Sequence, residues 1–388
     1  FSLSKNSDEC RLQQLLCHDC KLQHKDGAND KAQAQVQVHP FANFSWGNRQ
    51  SLVDIPKKQN IDMMVELRKF YNAHYYAQNM SLVVIGAYPL DKLQAKVVES
   101  FSAIPSLPRI EENDEFYNGM NVQPYRINPC TWESKIKTNS NSDTHPRTPI
   151  TKFGMPFTPT SLNRIIRSIP VKDKHSLSIT FQIPPQYQYW ESKPCDYIAH
   201  LLGHEAQGSL LSALKEKSWV NTCCAGVGSG GYENASSHAL FCMTFNLTKE
   251  GVRHWNEVLD CMYMYLGMLR YYIHNGGLPT WIHEELKSIQ EFSHKFEDDA
   301  TPVDLVESIA ECMVPFACLP PERLLDGDAL LFKFDGDVIK ELVDHYLTPE
   351  HARIDLTSST FGRASDFDEH VTNVDHGNAN VNANGDGI

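Results

Sequence analysis

Long apolar runs are missing from this chain. None of its 388 residues falls in a stretch near the ~18 apolar positions that a membrane-spanning helix requires, so the expectation is a soluble protein. Basic excess is missing too. Lys and Arg number 35 against 48 Asp and Glu, a net charge of −13, and no local basic cluster offsets it. Such a surface repels phosphate backbones, which argues against nucleic acid as a partner. Gly-x-Ser-x-Gly does not occur, so there is no nucleophile elbow. The glycine-rich stretch 226–231 leads into another strand-like run and carries no Lys-Ser/Thr, which disfavours a phosphate cradle. No His-x-x-Glu-His occurs anywhere. An initiator Met and a signal peptide are absent as well, and the expectation is a sequence that begins partway through a longer polypeptide. The 11 cysteines are odd in number and irregularly spaced, unlike a disulfide scaffold, and point to a reduced, cytoplasmic compartment.

What is present reads as α+β. Hydrophobic residues make up 41% of the chain, ample for a packed core. One short helix is expected near 11–16. Apolar positions at helical spacing predict a helix over 62–76, and the β-branched run 80–87 a buried strand. A further helix follows Pro89. Residues 106–164 lose all periodicity and read as a mobile linker or insertion. Beyond them come strands at 175–183, 221–226, 238–247 and 352–357. Helices are expected at 196–202, 209–217, 281–296, 302–313 and 338–346. Val252, Trp255, Leu259, Met262, Leu266, Leu269 and Ile273 form one apolar stripe, which predicts a single long core-facing helix. Thr248 is a fair N-cap, although Gly251 stands where a capping box wants Glu or Gln. The tail 363–388 reads as disordered. A helix ending His74-Tyr75 before 82–85 echoes a helix ending His345-Tyr346 before 354–356, as duplication of one unit would produce.

Three constellations bear on chemistry. His200 and His204 stand at i and i+4 on a predicted helix, the spacing of helical zinc ligands. The general-base Glu that would precede the second His is replaced by Gly203, and Glu205 lies on another face. A peptide-contacting surface and ordinary helix packing remain the other readings. Cys17, Cys20 and His24 resemble part of a zinc knuckle without a clear fourth ligand. Cys223 and Cys224 are adjacent in an expected strand, so they face opposite sides and cannot act as a redox pair.

Several stretches resemble one family, the pitrilysin, insulin-degrading enzyme and nardilysin zinc metallopeptidases, the nardilysin branch most of all. They are His39-Pro-Phe-Ala-Asn-Phe with Trp46-Gly-Asn, then 67–86, Pro89-Leu-Asp, Tyr232-Glu-Asn-Ala-Ser-Ser, 246–251 and 302–307. Strongest is His200-Leu-Leu-Gly-His-Glu-Ala-Gln-Gly208, continuing to Trp219. The resemblance implies duplicated metallohydrolase-like domains, each a sheet with helices packed on one face, enclosing a chamber where peptides are cut. Residues 1–105 would be the back part of the first domain, truncated and without its zinc motif. Residues 106–164 would be a linker or insertion, and 165–362 the homologous, non-catalytic second domain. The third metal ligand of the family, counted back from Arg11, falls before Phe1. Zinc therefore belongs to the intact family member, and this chain alone is expected to bind none and to be inactive. Its partners would be peptide substrates and the remaining parts of the same protein, with a homodimer left open. Carried over position by position, a peptide-binding exosite maps onto His200, Gly203, Glu205, Cys223 and Ala225. Asp196, Ala199, Cys223 and Ala225 differ from the residues of insulin-degrading enzyme at those positions. The expected function is thus the chamber wall and substrate-anchoring surface of a metalloendopeptidase, the alternative being a non-catalytic peptide-binding or scaffold homologue.

Overall fold

A computed structural model of the chain describes residues 6–22, 39–42, 47–106, 155–159, 161–313 and 319–362. Its centre is a five-stranded sheet in the order β1-β5-β2-β4-β3, made of β1 (Arg164–Ser168), β2 (His175–Ile183), β3 (Val220–Val227), β4 (Ala239–Leu247) and β5 (Ala352–Ser358). β1 runs parallel to β5, and the β5/β2, β2/β4 and β4/β3 pairs are antiparallel. Alternation fixes the register. Leu177, Ile179, Phe181 and Ile183 point to one face of β2, with Ile179 opposite Met243 on β4 and Ile354 on β5. A slip of one residue would turn this whole set to the other face.

Most helices pack on that apolar face. They are α4 (Pro194–Leu202), α5 (Leu210–Glu216), α6 (Lys249–Arg253), α7 (Trp255–Asn275), α8 (Thr280–Lys295) and α10 (Gly336–Glu341). Val258, Met262, Leu266 and Leu269 form the buried stripe of α7. The helix expected to run unbroken through 252–273 is interrupted at His254, where the backbone leaves helical angles. There the imidazole stacks on Trp219, with ring centroids 4.7 Å apart, and its nitrogens lie 3.2 Å from Glu250 and 3.1 Å from Glu257. Periodicity alone cannot register a one-residue corner, because apolar spacing is nearly conserved across it.

The opposite face of the sheet is polar, with Ser178, Thr180, Gln182, Thr244, Arg353 and Asp355. It is covered by α1 (Asp8–Leu22), the turn Pro40–Ala42 and the neighbourhood of Phe157. Phe41, Phe157, Leu162, Leu240 and Cys20 make a second, smaller core there. Phe157 exchanges two hydrogen bonds with the Gln182 amide, at 3.0 and 2.8 Å. The described end of the expected linker is therefore packed. Arg353, only 1% exposed, donates to both carboxylate oxygens of Asp355 at 3.0 and 3.1 Å and also to Asp19 of α1. Asp8 accepts from the Val171 and Lys172 amides at 2.8 and 3.3 Å, fixing the start of the helix, which is longer than 11–16.

Residues 63–101 behave differently. α2 (Met63–His74) is capped by Asp62, and α3 (Leu90–Phe101) follows Pro89. Between them the run 80–87 forms neither helix nor strand and pairs with no strand among the described residues, contrary to the buried strand expected from its composition. Leu82, Val84 and Ile85 are 45%, 39% and 47% exposed. A strand is defined by its neighbours, and here none stands alongside. α9 (Pro302–Cys312) lies beyond α8, and no helix among the described residues is long and apolar enough to cross a membrane. The tail 363–388 and most of 106–164 lie outside the described residues.

Candidate functional site

β3 is an edge strand: β4 occupies one side, and no strand among the described residues occupies the other. α4 ends against it. The spacing of His200 and His204 predicts both on one helix, but α4 stops at Leu202, with Gly203 as its C-cap, so His204 lies beyond the helix in the following loop. A Cβ on Gly203 would sit 3.0 Å from the Ala199 carbonyl of its own helix, a tight contact, and 3.9 Å from the Ala225 amide nitrogen of β3, an ordinary one. The last carbonyls of the helix find donors: Gly203 N–H reaches Ala199 at 2.8 Å, and the Tyr265 hydroxyl donates to Leu201 at 3.1 Å.

Between the helix end and the strand lies a groove of about 720 Å³ lined by Asp196, His200, Gly203, Glu205, Cys223 and Ala225 among others. All five residues expected at the exosite thus meet in one place. Gln290 joins them from α8, and its amide donates to Asp196 at 3.3 Å. Sequence reading missed Gln290 because its contact with Asp196 bridges distant segments and no local pattern marks it.

Burial lowers the pKa of His200, the nearby His204 lowers it further, and Glu285 opposes both. Burial raises that of Asp196 despite Lys193 and the Gln290 hydrogen bond. The Cys223 thiol is pushed up to about 12, first by burial and then by Cys224 and Glu205, so it is a packing group and not a nucleophile. Cys223 is buried and Cys224 exposed, as strand alternation requires.

The His200 and His204 rings are neighbours, with centroids 5.5 Å apart, but Gly203 supplies no base beside them. No cluster of three or more His, Cys, Asp or Glu among the described residues is arranged to hold a metal. Cys17 and Cys20 are buried residues of α1, and the Cys20 thiol donates to the Pro156 carbonyl at 2.9 Å. His24 lies outside the described residues.

Residues 65–289 match the family model described as the peptidase M16 inactive domain, and 294–376 match the middle or third domain of peptidase M16. Nardilysin of Pongo abelii is 33% identical over 320 residues, which are 82% of this chain and 24% of that protein. Insulin-degrading enzyme of Drosophila melanogaster is 30% identical over 340 residues, 87% of this chain and 29% of its own length. The chain thus spans less than a third of the curated relatives it matches. The crystal structure of pitrilysin superposes with a TM-score of 0.68 at 20% identity, covering 92% of this chain and 31% of that one, a likeness of fold.

Proposed function

The chain belongs to the M16 peptidase family, and from that membership we propose that it forms the peptide-holding, non-catalytic part of a cytoplasmic zinc metalloendopeptidase. The observation that carries this reading is the open edge of β3 beside the end of α4. An extended peptide laid along that edge adds a strand to the sheet. Its affinity would come from backbone hydrogen bonds, and any selectivity from the pockets beside alternate side chains. His200, Gly203, Glu205, Cys223 and Ala225 are the proposed exosite, with Asp196 and Gln290 at its wall.

The water-activating centre is assigned to residues outside this chain. His-x-x-Glu-His is absent, and Gly203 stands where its base would be. Zinc, peptide substrates and the remaining parts of the same polypeptide are then partners of the whole protein. The division into 1–105, 106–164, 165–362 and 363–388 belongs to the same proposal. Insertion of β5 between β1 and β2 supports keeping 165–362 together, although the family models change over between 289 and 294.

The test is fluorescence anisotropy of an unstructured Ala-Thr-Val-Ser repeat peptide, labelled at its C-terminus, titrated with the chain in the presence of a chelator. Saturable binding is expected. Gly203→Val, whose side chain projects into the approach between Ala199 and Ala225, should weaken it at least about tenfold. Equal binding by both proteins removes the groove from consideration. A second reading, a natural product that holds peptides and never carries a zinc half, also draws on Gly203. Mapping the transcript upstream separates the two: an open frame encoding His-x-x-Glu-His ends the scaffold reading.

A further inference from the structure

We propose that Tyr232 is the positioning residue through which the α1 cover sets the place of β3, and hence the width of the groove; this rests on the groove reading above. An edge strand has a ladder on one side only, so its position depends on how its ends are held. At its start Val220 pairs with Leu247 just before a register shift, and the Trp219 carbonyl accepts from Thr248 at 2.9 Å; from Thr222 the ladder to β4 runs unbroken to Val227, opposite Phe241. After Val227 the chain enters Gly228-Ser-Gly-Gly231, where the Gly230 carbonyl accepts from the Glu233 and Asn234 amides, both at 2.9 Å.

Tyr232 is the first anchor beyond those glycines. Its ring stacks on Phe41 with centroids 4.7 Å apart and planes 26° from parallel. Its hydroxyl reaches the Gln13 carbonyl of α1 at 3.4 Å, and its own carbonyl meets the His238 ring at 3.2 Å. Phe41 is in turn wedged edge-on against Phe157 and His238, at 5.3 and 5.0 Å. Gln13 and Phe41, though not His238 of the strand's own hairpin, belong to the segment that covers the polar face, and that segment is tied to β5 by Asp19 on Arg353 and to the turn after β1 by Asp8 on Val171. The end of the peptide-binding edge is therefore held by residues more than 190 positions away in the sequence, not by its own hairpin alone. Displacing α1 would leave the loop to its own hairpin bonds and to the Tyr187 hydroxyl on the Asn234 carbonyl at 3.1 Å, and would let the edge of β3 shift relative to α4.

Hydrogen exchange of the full 388-residue chain, read by mass spectrometry, tests this together with the anisotropy titration of the same repeat peptide. Tyr232→Ala should speed exchange across 220–227 about tenfold while leaving 175–183 at the wild-type rate, and should weaken peptide binding by a similar factor. Tyr232→Phe keeps the stack but loses the bond to Gln13, and should fall between wild type and Tyr232→Ala. Phe41→Ala removes the same stack from the other side and should reproduce the alanine result. Unchanged exchange over 220–227 in both alanine variants overturns the proposal. So does equal loosening of 175–183, which would make Tyr232 a contributor to general stability. If the wild-type chain binds no peptide, the groove reading fails instead, and the exchange comparison alone decides the role of Tyr232.

Discussion

Arg353 heads the largest fully buried side chains among the described residues, and its charge is met by Asp355 on its own strand and Asp19 on α1. A buried cation with two carboxylates is costly to create and costlier to break, because removing one partner leaves charge uncompensated. Arg353→Leu should therefore lose about 3–5 kcal/mol in denaturant unfolding. Asp19→Asn, which leaves Asp355 in place, should lose less but release α1, seen as faster exchange over 8–22. Gly251 makes a second residue-scale case. Thr248 caps α6 by accepting from the Gly251 amide at 2.9 Å, so the cap legible in the sequence is real. The missing Glu or Gln of a capping box has a packing cause: a Cβ on residue 251 would lie 1.9 Å from the Trp219 carbonyl oxygen, inside the backbone. Gly251→Ala should cost about 1–3 kcal/mol in the same experiment. No local rule could announce this, since the clash comes from a segment over thirty positions earlier.

At the scale of elements, alternation and helical spacing located most of the sheet and its helices. β5 is buried at every residue and β2 at nearly all, since both faces of the sheet are covered; the apolar alternation visible in the sequence marks only the face that carries the larger core. The run 80–87 is likewise apolar and β-branched yet has no strand beside it among the described residues, because β character is completed by a partner. α4 was expected to carry both His200 and His204, but it ends two residues before the second histidine, where Gly203 fits against β3. The groove itself was legible only through the family resemblance; Gln290 required the tertiary fold. Its histidine gives a pH prediction. The folded chain binds a proton at His200 less readily than the unfolded chain, because of burial and His204. Stability from this site is therefore complete above the ordinary histidine range and lost as pH falls through it toward the lowered value. His200→Gln should flatten the decline in Tm between about pH 7 and pH 5, measured by thermal unfolding against wild type.

At the scale of the molecule, the chain divides into a well-packed sheet unit and a stretch at 63–101 whose apolar side chains face outward. Leu67, Phe70, Leu90 and Val98 are 59%, 49%, 81% and 56% exposed. Amides in 63–101 should exchange far faster than those in β2, because so little apolar surface there is removed from water. The two halves of the internal echo thus differ in what surrounds them: β5 has strands on both sides and 82–85 has none among the described residues. The chain belongs to the M16 family, and the function proposed above is a division of labour in which this chain would hold a peptide and another part of the protein would cut it. The direct measurement is mass spectrometry of the repeat peptide after incubation with the purified chain and added zinc, with a chelator control and contaminating proteases excluded. The peptide should be recovered whole. Chelator-sensitive fragments would contradict the account at its root.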